Sequence, residues 1–360
     1  MQDFSAHFPV TQNYTYLNTA SCGLLSTSLV EWRHQHDVNL LEGGSLFRDL
    51  HKPHIREIRS TVARFFSTSE ENVALVPNFS FGLNTLLDGL PGRQKVLLLK
   101  GDYPSINWPV ENRDFKVCYA EIDAHLEQNI EKACEQHQPD VLAFSVVQYI
   151  SGIKINLDFL KELKARHPNL LLIADGTQFL GTGHFNFEES AIDVMGASSY
   201  KWMLSGYGNA FFMIKEKVQE RFTIRAIGFN SADAKFSKKN EIEFVGRMEP
   251  GHQDTLNYGS LMESIKFMEQ LGMERIEKYL ESLTAHAREE FEKLNLLDET
   301  ALDRRNHSTI FNIKGDAALF HKLKENNIIA SLRGKGIRVS FHFYNTEADL
   351  ERLIAVITSE

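Results

Sequence analysis

Short apolar runs alternate with stretches of helical periodicity between about residues 55 and 225. Brief apolar runs predict buried strands, and strands that alternate with helices indicate an α/β domain with a mostly parallel sheet. The runs predicted as strands are 73–76, 96–99, 117–120, 141–147, 170–174, 193–197 and 210–214. The stretches predicted as helices in this region are 55–64, 126–136 and 157–164. Sheets of this kind bind ligands at the carboxyl ends of their strands, so polar residues there are candidates for a site.

The pattern changes after Pro250, where long amphipathic helices are followed by a few short strands. The predicted elements are helices at 260–271 and 276–294, strands near 308–313 and 337–341, and a last helix at 347–358. We therefore predict a large α/β domain over 16–250 and a smaller α+β domain over 251–360. Residues 1–15 form an N-terminal segment that we expect to pack near the smaller domain.

Composition narrows the classes of function. The chain has 360 residues, 42% of them hydrophobic and 24% charged, with a formal net charge of −9. This balance is typical of a globular protein and argues against a nucleic-acid binder, which usually presents a basic surface. Three widely separated cysteines, Cys22, Cys118 and Cys134, predict neither a disulfide framework nor a metal site. The sequence shows no signal peptide and no membrane span, so we expect a cytoplasmic protein.

Two residues of the α/β region suggest cofactor chemistry. Asp175 directly follows the predicted strand 170–174, and Lys201 follows the strand 193–197 in a polar loop. A lysine can form an aldimine with an aldehyde cofactor, and a pyridine cofactor needs a carboxylate at its ring nitrogen. The alternative for Asp175 is a turn cap before Gly176, and the alternative for Lys201 is an ordinary surface lysine.

A candidate phosphate site lies at residues 78–84, which follow the strand 73–76 and open a helix. Helix N-termini bind phosphate through backbone N–H groups, and Ser80 adds a hydroxyl. An ordinary serine cap would give the same pattern. In the smaller domain, Arg338 lies within an apolar strand, and a buried arginine needs an anionic partner, either a ligand or a structural ion pair.

Together these motifs make the chain resemble the class V aminotransferase family of fold-type I, which depends on pyridoxal 5′-phosphate. The family includes cysteine desulfurases and isopenicillin N epimerase-like proteins, and the resemblance extends from Tyr16 to Thr346. It implies a mostly parallel seven-stranded sheet flanked by helices and a small C-terminal domain. It also implies a homodimer with its sites near the interface and an amino acid as substrate.

The resemblance also implies roles for individual residues. Lys201 corresponds to the Schiff-base lysine and Asp175 to the partner of the pyridine nitrogen. The other positions implied to bind cofactor are Phe79, Ser80, Tyr103, Gln178, Ser198, Tyr200 and His252, and those implied to contact substrate are Arg338 and Asn18. Several depart from the family pattern, since Phe79 and Ser80 replace a Thr-Thr pair and Tyr200 replaces a histidine. Tyr103 falls where an aromatic or histidine ring covers the pyridine, and His252 where a threonine reaches the phosphate of the neighbouring subunit.

Several functions share this scaffold. We predict an enzyme that acts at the Cα atom of an amino acid through a Lys201 aldimine, with aminotransferase as the first choice. Amino-acid epimerase, racemase and β-lyase are the alternatives, because their reactions begin in the same way.

Three other functions are disfavoured. Cysteine desulfurases of the resembled family use a cysteine on the loop just before the substrate arginine. Desulfurase chemistry of the usual kind is not expected here, because only residues 334–337 separate Arg333 from Arg338 and none is a cysteine. A nucleotide-dependent oxidoreductase is disfavoured, because no early strand is followed by G-x-G-x-x-G. A non-catalytic regulator is disfavoured by the lack of room for a DNA-binding domain.

Overall fold

A seven-stranded sheet forms the centre of the larger part of the molecule. The computed structural model describes residues 4–232, 235–238, 240–304 and 306–359. The strands are β1 (Thr15–Tyr16), β2 (Val73–Val76), β3 (Lys95–Leu99), β4 (Lys116–Ala120), β5 (Val141–Ser145), β6 (Leu171–Asp175), β7 (Val194–Ser198), β8 (Ala210–Ile214), β9 (Ile310–Lys314), β10 (Ile328–Ile329), β11 (Ser331–Arg333) and β12 (Gly336–Ser340). The order in the large sheet is β2-β8-β7-β6-β5-β3-β4.

Strand direction in this sheet is mostly parallel. The neighbours from β7 to β4 pair in parallel, whereas β8 runs antiparallel to both β7 and β2. Alternate side chains pack on opposite faces, so Leu97 and Leu99 join one hydrophobic cluster while Val96 and Leu98 join another. Burial on both faces explains why these strands read as continuous apolar runs. The predicted fold, a mostly parallel seven-stranded sheet flanked by helices, is confirmed.

Helices cover both faces of the sheet. They are α1 (Thr27–Gly43), α2 (Ser45–Arg48), α3 (His51–Phe65), α4 (Phe79–Gly89), α5 (Pro104–Glu111), α6 (Leu126–His137), α7 (Leu157–Arg166), α8 (Glu216–Gln219), α9 (Phe244–Met248), α10 (Thr255–Leu271), α11 (Met273–Lys293), α12 (Glu299–Asp303), α13 (Ala317–Glu325) and α14 (Glu347–Thr358). Residues of α3, α6 and α7 pack on one face, and those of α4 and α5 pack on the other. Among the described residues, no helix is long and apolar enough to cross a membrane.

A second, antiparallel sheet, in the order β11-β12-β9, lies in the C-terminal part. It packs with α14 and the second half of α11 in a separate cluster that includes Phe291, Phe311 and Leu353. By contrast, α10 and the start of α11 pack in the cluster of the large sheet, through residues such as Leu261 and Ile276. The division at residue 250 remains a prediction of the sequence.

The first residues of the chain contact its last part. The ring of Phe4 lies 5.3 Å from the ring of Phe343, and that of Phe8 lies 5.1 Å from that of Tyr344. Strand β1 pairs in parallel with β10, and the backbone of Asn18 bridges to that of Ser340 in β12. This pairing carries the N-terminal loop, residues 18–26, across the carboxyl ends of the large sheet, where Gly23 N–H donates to the carbonyl of Tyr200.

Candidate active site

One small pocket forms at the carboxyl ends of β3, β5, β6 and β7. Lys201, Asp175, Gln178 and Tyr103 line it together, with Tyr149 beside them. These residues come from four separate segments of the sequence. Parallel strands end at one edge of a sheet, and this edge brings the segments together. The structure therefore places four of the residues predicted from sequence in a single pocket.

Lys201 is buried at the centre of this pocket, with 6% of its surface exposed. Burial lowers the pKa of its ammonium to about 8 because the charged form loses solvation. The nearby charge of Asp175 opposes that shift, whereas those of Arg338 and Arg333 add to it. Lys201 can therefore supply a neutral amine, which is the nucleophilic and basic form, at a pH far below that of an exposed lysine.

Asp175 ends β6 and lies in the same pocket. One carboxylate oxygen accepts a hydrogen bond from the N–H of Thr177 at 2.8 Å. Burial raises the pKa of this carboxyl to about 6, and the hydrogen bonds of Thr177 and the charge of Lys201 counteract the rise. A cationic ring nitrogen beside Asp175 would lower that pKa again and stabilise the carboxylate. Such a carboxyl is suited to a cationic ligand atom.

Gln178 is held at both ends of its side-chain amide. Its Nε2 atom donates to the carbonyl of Ala20 at 2.9 Å, and its Oε1 atom accepts from the indole N–H of Trp202 at 2.7 Å. The second hydrogen on Nε2 remains for a further acceptor. The indole of Trp202 thus fixes the orientation of the amide, a partnership that sequence reasoning missed.

The predicted phosphate loop begins α4. Asn78 caps this helix by accepting from Phe81 N–H at 2.8 Å. The N–H of Phe79 donates to Ser198 Oγ at 2.9 Å, and Phe79 packs its ring on Phe212, with centroids 5.4 Å apart. Two N–H groups of this first turn, those of Phe79 and Phe81, are therefore already bonded to side chains.

Ser80 and Ser105 join the starts of two helices. The Ser80 hydroxyl donates to Ser105 Oγ at 2.9 Å, linking the first turn of α4 to the first turn of α5. Two helix N-termini thus meet at one point, and each carries partial positive charge. Ser105 was not predicted, because only the folded chain brings it beside Ser80.

Aromatic rings flank Lys201. The Nζ atom of Lys201 lies 5.5 Å from the ring centroids of both Tyr103 and Tyr200. Tyr103 meets the edge of Tyr149 at 5.1 Å and 68°, while Tyr200 stacks on Tyr207 at 4.5 Å and 20°. Burial raises the pKa of the Tyr200 hydroxyl, so Tyr200 remains a neutral donor. Tyr149 and Tyr207 were not predicted.

Asp102 is a second buried carboxylate behind Tyr103. Its two oxygens accept from the N–H groups of Tyr103 and Ser145, each at 2.7 Å. Burial raises the pKa of Asp102, and its charge also contributes to the raised pKa of Asp175. Asp102 was not predicted, although it lies three residues after the predicted strand 96–99 and Asp175 was identified by a similar position after a strand.

Arg338 lies in β12 with 3% of its surface exposed. Its Nη1 donates to the carbonyl of Tyr149 and its Nη2 to Ser21 Oγ, both at 2.7 Å, while its buried Nε has no partner. Among the ion pairs found in the described parts of the chain, none involves Arg338. Burial and the charge of Arg333 lower its pKa to about 10. A buried guanidinium with an unused donor and no carboxylate is suited to an anionic ligand.

Asn18 connects with this arginine through hydroxyl groups. Ser331 Oγ donates to Asn18 Oδ1 at 2.7 Å and lies 3.1 Å from Ser21 Oγ, which in turn accepts from Arg338. Asn18 is thus connected to the arginine only through Ser331 and Ser21, and its expected contact with the substrate stays a prediction. Both serines were missed, because their partners lie more than 300 positions away in sequence.

His252 lies apart from these residues. It is exposed, its ring stacks on that of Phe229 at 4.8 Å and 14°, and it does not line the pocket. The expected contact of His252 with the phosphate of a neighbouring subunit stays a prediction.

The chain is similar to proteins of a known family. The sequence model of the aminotransferase class-V family matches residues 34–353. An uncharacterized aminotransferase, YcbU, from Bacillus subtilis is 20% identical over 98% of this chain and 96% of its own. Isopenicillin N epimerase from Amycolatopsis lactamdurans is 24% identical over 94% of this chain and 93% of its own.

Solved structures show the same fold. Apo cysteine desulfurase from Thermococcus onnurineus NA1 superposes with a TM-score of 0.86 at 18% identity, covering 99% of this chain and 98% of the other. The cystine C-S lyase C-DES, in complex with cysteine persulfide, superposes with a TM-score of 0.87 at 18% identity. The match covers 97% of this chain and 98% of the other. A C-DES mutant carries glycine covalently linked to its pyridoxal 5′-phosphate cofactor. The match over most of its length shows that this chain belongs to the class V aminotransferase family, whose cofactor is pyridoxal 5′-phosphate.

Proposed function

We propose that the protein acts at the Cα atom of an amino acid and that it is an aminotransferase. The observation that carries this proposal is the convergence of three buried charged groups on one pocket. Lys201 and Asp175 line it, and Arg338 adjoins it through the carbonyl of Tyr149 without a carboxylate partner of its own. An amino acid brings a carboxylate for the arginine, and the cofactor brings a cationic nitrogen for the aspartate.

The residues of the pocket fit pyridoxal 5′-phosphate. Asp175 would hold the ring nitrogen, since its pKa is raised by burial and a cation would stabilise its charge. Tyr103 would cover the ring and Gln178 would donate to the ring oxygen. The phosphate would be held by Ser80 at the start of α4 and by Tyr200. When bound, the cofactor supplies an electron sink that stabilises negative charge at Cα.

Arg338 and Lys201 then have separate tasks. The guanidinium of Arg338 binds the α-carboxylate through parallel N–H donors, which orients the Cα–H bond in the pocket. The amine of Lys201 takes the proton from Cα and returns it to a neighbouring position. Its pKa of about 8 gives a useful fraction of free base near neutral pH.

Transamination is the reaction that these residues favour. Among the described residues that line the pocket, Lys201 is the only one with an amine, and none is a histidine. One base is enough to move a proton from Cα to the nearby carbon on the other side of the amino nitrogen, because both carbons present the same face to it. Epimerisation by two bases would need a second acid–base group besides Lys201, and the tyrosines that line the pocket are poorer proton shuttles at neutral pH than a histidine.

A second copy of the chain is part of this proposal. Leu41 in α1 and Leu46 in α2 are 83% and 77% exposed, and Leu40 and Leu50 beside them are also exposed. His252 lies on this side of the molecule, because its charge contributes to the lowered pKa of His51 at the start of α3. A homodimer that buries this surface would bring His252 towards the partner's site.

The test is a panel of amino acids added to the purified protein, with the absorption spectrum of the cofactor and the keto-acid product as readouts. We expect amino acids to change the spectrum and a keto acid to form in the amount of cofactor present. Borohydride should attach the cofactor to Lys201, located by mass spectrometry of a digest. The variant Lys201→Ala should lose turnover, while Lys154→Ala, which removes a half-buried lysine lying over Phe179, should keep it. Inversion at Cα without keto acid would replace transamination with epimerisation. Release of the side chain, with ammonia and with keto acid in excess of the cofactor, would replace it with lyase chemistry.

A further inference from the structure

A second arginine lies on the same face of the small sheet as Arg338. In the antiparallel pair β11–β12, Ser331 is opposite Arg338 and Arg333 is opposite Gly336. Opposite residues and alternate residues of a strand point to one face, so Ser331, Arg333 and Arg338 share a face. Ser331 contacts Ser21 and Asn18 there, so this face meets the N-terminal loop beside the pocket. Arg333 and Arg338 are diagonal neighbours within reach of long side chains.

The hairpin that carries Arg333 is held against the pocket. Gly334 has a positive φ of 59°, and a Cβ atom there would come within 2.9 Å of Ile150 Cγ2. Ile150 follows Tyr149, whose carbonyl accepts from Arg338. The carbonyl of Arg333 accepts from Asn312 Nδ2 at 2.9 Å, which fixes the start of the turn. Packing and hydrogen bonding thus keep the Arg333 backbone close to the pocket, while its side chain is exposed.

The charge of Arg333 reaches the pocket without being neutralised on the way. It contributes to the lowered pKa of both Lys201 and Arg338. No ion pair within the described ranges involves Arg333, whereas Arg59, Arg64 and Arg304 each pair with a glutamate. Its guanidinium is therefore available to an anion near the site.

Negative charge is scarce on the pocket side. Asp175 is the one carboxylate among the described residues that line the pocket. Asp102 lies behind it with both oxygens engaged by backbone N–H groups. A cationic substrate side chain would thus meet repulsion from Arg333 with no carboxylate to pair with, whereas an anionic one would meet a free guanidinium.

We propose that the substrate is an acidic amino acid, whose α-carboxylate binds Arg338 and whose side-chain carboxylate binds Arg333. This inference rests on the proposed function and names the substrate class of the same site. Arg338 is buried and fits the invariant end of any amino acid, whereas Arg333 at the exposed edge determines which side chain is selected. Aspartate and glutamate are the simplest members of the class.

The test compares acidic amino acids with their neutral isosteres. The cofactor-loaded protein is titrated with L-aspartate, L-glutamate, L-asparagine and L-glutamine, and the apparent Kd is read from the cofactor spectrum. At least one acid should bind tighter than its amide by roughly tenfold to a hundredfold, the range for one hydrogen bond between charged groups. Arg333→Gln should abolish this preference and leave the Kd of the amide unchanged, while Arg333→Lys should retain part of it.

Lys335→Gln provides the matched control, because it removes a positive charge from the turn of the same hairpin. It should keep the preference for the acid. Equal binding of acids and amides by the wild-type protein would overturn the inference while leaving the proposed function intact. A preference that survives in Arg333→Gln, or that Lys335→Gln lowers equally, would assign it to general surface charge and reject Arg333. Failure of every amino acid to change the spectrum would reject the proposed function and this inference with it.

Discussion

Two buried side chains in the pocket have pKa values shifted towards each other. Burial raises the pKa of Asp175 to about 6 and lowers that of Lys201 to about 8. Each shift favours the neutral form, so the isolated chain pays a free-energy cost for holding either charge inside. A bound cofactor that pairs with Asp175 and consumes the lysine amine would relieve both costs. The pocket is therefore arranged for a ligand at the expense of stability.

The first prediction concerns the stability of the cofactor-free protein. The folded chain retains the Asp175 proton between about pH 4 and about pH 6, where the unfolded chain releases it. Stability therefore falls as the pH rises through this window. Asp175→Asn should be more stable than the wild type at pH 7, by roughly 2–4 kcal/mol, and nearly equal to it at pH 4. Urea unfolding of both proteins at the two pH values measures this.

The same variant should turn over amino acids far more slowly, because the neutral amide cannot pair with a cationic ring nitrogen. A stability difference that is the same at pH 4 and pH 7 would show that the charge of Asp175 is not the cause. Turnover at the wild-type rate would show that another residue holds the ring nitrogen.

The residues that can be predicted from sequence are those whose signal is local. Asp175 was visible because it follows an apolar strand, and Lys201 because a polar loop follows another strand. Ser21, Ser105 and Tyr149 were missed, because nothing near them in sequence indicates a partner. The hydrogen bond between Phe79 N–H and Ser198 was likewise hidden, since it joins residues 119 positions apart.

At the scale of elements, the N-terminal loop is packed directly on the lysine segment. A Cβ atom at Gly23 would come within 1.9 Å of the Lys201 carbonyl oxygen and 2.9 Å of Leu204 Cδ2. The N–H of Gly23 also donates to the Tyr200 carbonyl at 2.9 Å. The loop therefore has no room for a side chain at this point, and its position determines that of the pocket.

The second prediction tests this contact. Gly23→Ala should lower the free energy of unfolding by about 1–3 kcal/mol, as overpacking does, and weaken retention of the cofactor by displacing Lys201. The control is Gly92→Ala, because a Cβ at Gly92 has nothing within 4 Å. Thermal unfolding and dialysis of the loaded protein provide the measurements. Equal effects at the two glycines would mean that the loop yields without moving Lys201.

Strands and helices were predicted well where their buried faces give the sequence a clear pattern of apolar residues. Strands β2 and β8 match their predicted limits, and α14 matches at both ends. Helix α1 was not predicted, because it buries only Leu29 and His36 and so has no apolar stripe. Its helical state comes from the Ser26 cap and from packing against α10, which periodicity alone does not reveal.

For the whole molecule, the surface of α1 and α2 is the place where we expect a second copy to bind. This surface adjoins α3, which packs on β2 at one edge of the large sheet, whereas β4 forms the opposite edge. Exposed leucines are rarely grouped this closely on a monomer surface.

The third prediction is that the protein sediments as a homodimer. The double variant Leu41→Lys and Leu46→Lys should shift it towards a monomer and weaken cofactor retention, because His252 would lose its expected place beside the partner. Tyr119→Lys is the control, since Tyr119 is exposed on β4 and lies beside Glu111. A wild-type monomer, or dissociation caused equally by the control, would contradict this assignment of the interface. Sedimentation equilibrium distinguishes these outcomes.

The pairing of the first residues with the last strands also determines when the site can be completed during synthesis of the chain. Ser21 binds Arg338 across 317 positions of sequence. At ribosomal rates, roughly 15 to 60 s pass between the synthesis of these two residues. In the last part of that interval the nascent chain carries Asp175 and Lys201, but it lacks the guanidinium that we propose to bind the carboxylate. A ribosome stalled before β12 would therefore yield a chain that has the residues proposed to bind the cofactor but lacks Arg338, the residue proposed to bind the amino acid.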